Sequence, residues 1–151
     1  MEKEKSIEAL NSLIEINNDR IEGYESASKE TDETDLKTMF SQFIQNSQKC
    51  KQELVNEVQK LGGTPEEGTK TTGKFFRVWM DVKAALTGKD RKAILNSCEQ
   101  GEDEAVDTYE DVLKDNLEDL TPAHQTMLNA QYALIKKDHD KVKSMRDALK
   151  D

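Results

Sequence analysis

Residues 61–88 read LGGTPEEGTKTTGKFFRVWMDVKAALTG, and the length and content of this stretch decide the fold. It opens with Gly62-Gly63-Thr64-Pro65, where a glycine takes a left-handed helix cap and the proline forbids continuation. Residues 66–73 are polar and loop-like. Residues 74–86, KFFRVWMDVKAAL, are apolar nearly all round and predict a short helix that stops at the turn Thr87-Gly88. If the long helical patterns on either side simply alternated up and down, a few residues would join them. A connection of 28 residues containing its own helix instead travels the ~40 Å length of a bundle, so that the flanking helices run parallel.

Working outward, Ile7, Leu10, Ile14, Ile21, Tyr24 and Ser28 recur at spacings of three and four, with Asn17 in the gap. This predicts a first helix over about 3–29. The polar run 29–35 is a short loop of the kind that joins antiparallel neighbours. The second helix, about 35–61, carries Leu36, Phe40, Phe43, Ser47, Cys50, Leu54 and Leu61, widened by Ile44, Val55 and Val58. Beyond the crossover, Asp90 is the expected N-cap of a third long helix, about 91–118, with Leu95, Cys98, Glu102, Ala105, Tyr109 and Val112 in its stripe. Thr121-Pro122 reads as an N-cap followed by proline at the first helical position. The last helix then presents Leu128, Gln131, Ile135, Asp138, Val142, Met145 and Leu149. The expectation is an all-α chain whose residues 1–151 form a single ferritin-like four-helix-bundle domain. Its long crossover, containing a short helix, lies between the second and third long helices.

Composition supports this and removes other classes. Charged residues make up 35% and hydrophobic ones 34%, the balance of long helices with one apolar stripe and one solvated face. Periodicity of the apolar residues argues against disorder. A formal net charge of -9 makes the average surface repel nucleic acid and anionic lipid, so no nucleic-acid partner is expected. No run approaches the roughly 20 apolar residues of a membrane span, and MEKEKSIEAL lacks the apolar core of a signal peptide. Cys50 and Cys98 fall in apolar stripes, which suits buried free thiols in a reducing cytoplasm and is too little for a thiolate zinc site. The expected location is cytoplasmic.

The run from Trp79 to Gly88, followed by CEQGEDEA from Cys98 to Ala105 and by Tyr109, resembles a bacterial family of small ferritin-like bundles known only as a domain of unknown function. The first helix agrees through Asp19, Glu22, Gly23, Tyr24 and Ala27. The last agrees through Gln131, His139-Asp140, Val142 and Arg146-Asp147. One departure is Gln100, where that family often has arginine. The resemblance spans essentially the whole chain and implies the ferritin-like fold; it implies no reaction.

A ferritin-like di-iron centre needs a Glu-x-x-His pair on each of two helices, because residues three apart point the same way. Three residues before His124 stands Thr121, and three before His139 stands Lys136, so the motif is absent. Gln45 and Gln48 occupy the second helix where one is expected. No Gly-rich phosphate loop, nucleophile elbow or Cys–His pairing is present either, and no catalytic residue is predicted. The stripes nevertheless place Asn17, Ser47, Glu102, Gln131 and Asp138 near mid-helix, with Glu22, Gln48 and His139 close beside them. These predict one polar layer across the bundle centre. A buried carboxylate must be paired, protonated or metal-bound. The leading expectation is a hydrogen-bond network without a cofactor. The alternative is a site for iron or another divalent metal on Glu22, Glu102 and His139.

Residues 70–92 carry a net of about +5 and leave about -14 on the rest. Phe75, Phe76, Arg77, Trp79 and Lys83 are therefore candidates for docking on a membrane or partner, against the plainer expectation that the aromatics pack on the bundle. The apolar surplus of this crossover helix also suits a homodimer. The function expected is a non-catalytic binding or structural protein. The alternatives are a degenerate metal-binding or weakly redox-active bundle and a protein that docks through residues 74–86.

Overall fold

The computed structural model describes residues 2–68 and 74–149, with backbone alone for residues 2 and 74–78. Among them all regular structure is helical. The elements are α1 (Glu2–Glu30), α2 (Thr34–Lys60), α3 (Lys74–Gly88), α4 (Arg91–Asp115), a 3-10 turn at Leu117–Asp119, and α5 (Pro122–Asp147).

Local chemistry sets most of the boundaries. Gly62 takes φ +82 after α2, and the Gly63 N–H donates to the Val58 carbonyl at 2.9 Å, which closes the helix end. The Asp90 carboxylate accepts from the Ala93 N–H at 3.2 Å, and the Thr121 hydroxyl accepts from the His124 N–H at 3.1 Å. Both are the N-caps read from sequence. Two boundaries differ from expectation. The short helix runs on through Gly88, and the reversal falls on Lys89 at φ +57, whose N–H donates to the Leu86 carbonyl. A left-handed residue other than glycine costs roughly 1–2 kcal/mol, accepted here because Asp90 must lie extended to cap α4. α4 stops at Asp115 rather than 118, because Asn116 leaves helical geometry at ψ 17 and the chain tightens into the 3-10 turn.

Two core clusters fix how the helices run. One joins Leu10, Leu13 and Ile14 of α1 to Leu54 and Val58 of α2, Tyr109 and Val112 of α4, and Leu128 and Ile135 of α5. The other joins Tyr24 and Ala27 to Phe40 and Phe43, Leu95 and Cys98, and Val142. The starts of α2 and α4 thus share one end of the molecule, and these two helices are parallel. α1 pairs antiparallel with α2, and α4 with α5.

α3 rests on α1 and α4, burying Val82 and Leu86. Its Trp79 indole lies on the bare backbone of Gly23: a Cβ there would sit 2.4 Å from Trp79 Cδ2. The indole meets the Tyr24 ring edge-on at 5.0 Å, and Tyr24 continues to Phe40 and Phe43, each at 5.3 Å. Alanine for glycine within a helix ordinarily stabilises by about 1 kcal/mol, but overpacking a rigid ring costs roughly 1–3 kcal/mol. Gly23→Ala is therefore expected to lower stability in urea titration and to shift the emission of Trp79, the sole tryptophan, to the red. A stabilised protein with unchanged emission would show that Trp79 does not occupy this notch.

Candidate functional site

Asn17, Arg20, Tyr24 and Ala27 follow one another at spacings of three, four and three and line the inner face of α1. Arg20 is 1% exposed and is the centre of the site. Its Nε donates to Glu102 Oε2 at 2.9 Å and its Nη2 to Glu102 Oε1 at 2.6 Å, a two-pronged clamp on a fully buried carboxylate. Nη2 also reaches Asp138 Oδ2 at 3.1 Å, and Nη1 donates to the Ser47 hydroxyl at 2.6 Å. The Asn46 amide donates to both Asp138 oxygens, at 2.9 and 3.0 Å. The guanidinium carbon lies 5.8 Å from the centroids of both Tyr24 and Phe43. One guanidinium thus joins α1, α2, α4 and α5.

Electrostatics in the cluster is a contest between burial and pairing. Burial pushes the Glu102 carboxyl above its ordinary value, Arg20 pulls it back, and Asp138 adds to the upward push. Burial works against the Arg20 charge too, but Glu102 and Asp138 outweigh it, and the guanidinium is held above its ordinary range. The Tyr24 hydroxyl lies beside Glu102 without a hydrogen bond of good geometry.

A second polar chain lies toward the other core cluster. Asn17 Nδ2 donates to the Tyr109 hydroxyl at 2.9 Å, and that hydroxyl donates to Gln131 Oε1 at 2.7 Å. Gln131 Nε2 then donates to Glu53 Oε1 at 2.9 Å. Both cysteines are free and buried. Burial pushes the Cys50 thiol up to about 11 and the Cys98 thiol higher still, which keeps both protonated and unreactive at neutral pH.

All five stripe residues predicted for the polar layer are buried, but in two layers. Ser47, Glu102 and Asp138 surround Arg20, while Asn17 and Gln131 meet at Tyr109. The three neighbours expected beside them belong elsewhere. Glu22 and Gln48 are exposed. His139 lies off centre, its Nε2 2.6 Å from Asp103 Oδ1 and its Nδ1 3.0 Å from Asp140 Oδ1. Glu22, Glu102 and His139 therefore do not form a metal site, and the described residues contain no group of three or more His, Cys, Asp or Glu placed to hold a metal. Helix geometry gives the reason: at about 100° per residue, Glu22 is turned roughly 200° from Arg20, and His139 and Gln48 about 100° from the seam residues before them. Of the docking candidates, Trp79 packs inward and Lys83 is exposed, whereas the side chains of Phe75, Phe76 and Arg77 lie outside the described residues.

Arg20 is absent from the residues expected in the polar layer. The signal was present, since Arg20 stands three residues after Asn17 and four before Tyr24, and two seam carboxylates required a cation. Ile21 drew the stripe one position away from it and is only half-buried. An open groove of about 500 Å³ between α2 and α5 brings solvent to Asp138 and Asn46, at the edge of the cluster.

Removing Arg20 strands two buried carboxylates, and Arg20→Met is expected to cost about 3–5 kcal/mol in chemical denaturation. A cost below about 1 kcal/mol would mean that the cluster is solvated. The Glu102 shift has a definite sign. Its carboxyl is raised above 4.5 in the fold, so its stabilising contribution is complete below that pH and is lost as pH rises through the folded-state value. Compared with Glu102→Gln, the native protein should lose stability as pH rises above 4.5 and through the raised folded-state value. A difference that grows with pH would show that Arg20, not burial, dominates this group.

A family model described as a domain of unknown function, DUF2383, matches residues 5–115, from α1 to the end of α4. No curated protein matches the chain.

Proposed function

The chain belongs to the DUF2383 family of domains of unknown function, and we propose that it is a ferritin-like four-helix bundle serving as a non-catalytic binding or structural module. In this reading α1, α2, α4 and α5 are the four helices of a single domain, and the stretch carrying α3 is the crossover between the parallel pair. The observation that carries the reading is the Arg20 clamp on Glu102 and Asp138. Ferritin-like metalloproteins hold metal between carboxylates that project inward from facing helices. Here two such carboxylates receive a cation that is part of the chain, and their oxygens are spent on Arg20 and Asn46. A metal ion entering this centre would have to displace a bidentate guanidinium and leave it buried against the incoming charge. The free, protonated cysteines suit a reducing compartment, and the proposal places the protein in the cytoplasm.

Metal content is the test. The protein should emerge from chelator-free purification, and from anaerobic loading with Fe(II), with far less than one metal per chain by mass spectrometry. Its melting temperature should be the same with and without chelator. Retention of about one metal per chain, abolished by Glu102→Ala, would overturn the reading.

A further inference from the structure

The molecule divides at residues 88–90 into two units, α1–α3 and α4–α5, each containing its own antiparallel hairpin. What joins them is α3 on α4, α1 on α4 and on the 3-10 turn, and α2 on α5. The polar contacts between them have the same character. Arg20 and Ser47 come from the first unit, Glu102 and Asp138 from the second. Asn17 with Tyr109, Glu53 with Gln131, and Glu33 and Asp35 with Arg91 also cross the divide. The covalent link across it is the exposed turn Lys89-Asp90, with Lys89 at φ +57. If Lys89 takes helical angles instead, its strain is relieved, the Asp90 cap becomes unnecessary, and α3 and α4 fuse into one helix. The two units of that chain then point apart, and each buried pair can be completed only by a second copy.

We propose that the protein forms a domain-swapped dimer, in which α1–α3 of one copy pack on α4–α5 of the other and Gly88–Asp90 becomes continuous helix. A short hinge under strain favours such exchange, and the swapped interface repeats contacts the sequence already encodes. The contact is isologous and closes with two chains. This inference does not rest on the functional reading above, and it makes the hinge residues the determinants of oligomeric state.

The test is light scattering behind size exclusion, after refolding at high protein concentration, on the native protein, Lys89→Gly and Lys89→Val/Asp90→Ala. Glycine removes the strain from the closed form, whereas a β-branched residue worsens it and alanine deletes a cap that only the closed form uses. Two hinges straighten per dimer, so each effect counts twice. A species of twice 17.2 kDa should form. Its ratio to monomer should rise about tenfold or more in the Val/Ala variant and fall by as much in Lys89→Gly, a spread set by the left-handed penalty. The same ratio in all three proteins, including monomer throughout, overturns the proposal, because a side-by-side dimer is indifferent to the hinge. Should the double variant fail to fold by circular dichroism, Asp90→Ala alone provides the same comparison.

Discussion

A guanidinium fully withdrawn from water is the constraint around which this molecule is arranged. Arg20 can stay charged in the interior only if carboxylates meet it at hydrogen-bond distance, and Glu102 and Asp138 can be buried as ions only with a cation such as Arg20 beside them. Ser47 and Asn46 take up the remaining polar capacity on the α2 side. These residues come from four helices and meet in one cluster, so satisfying all of them sets the axial register of α1, α2, α4 and α5 together. Leucines and isoleucines alone would tolerate a slip of one turn with modest loss, whereas this cluster does not. The Tyr109 chain repeats the device on the other side, and the two layers separate the apolar clusters toward either end.

The helix α3 solves a different problem. A segment that joins two parallel helices must cover apolar surface on the way, and α3 does so by lowering Trp79 onto the one place on α1 where no side chain stands. Gly23 is therefore a packing residue and not a flexibility residue. The aromatic run from Trp79 through Tyr24 to Phe40 and Phe43 carries this contact inward until it reaches the ring faces beside Arg20. The charged centre and the outer helix are thus parts of one packed column.

Much of this was legible from the chain. The α2, α4 and α5 stripes are readable because polar members sit at strict helical spacing among apolar ones, and the caps at Asp90 and Thr121 follow from side-chain chemistry. The α1 seam was less so, because arginine ordinarily marks a surface and isoleucine a core, and Arg20-Ile21 reverses that rule. Glu22, Gln48 and His139 were placed in the centre by nearness in sequence, although adjacent helical residues point about 100° apart. The left-handed turn was also hidden, since Gly88 is the natural candidate and the strain falls on Lys89.

Arg20 and Glu102 act as one unit. A double-mutant cycle on Arg20→Met and Glu102→Leu, read by urea denaturation, tests this directly. A coupling of at least about 2–3 kcal/mol is expected, with the double variant more stable than Arg20→Met alone. Additive losses within about 0.5 kcal/mol would contradict it, and would mean that each residue is held by its surroundings and not by the other.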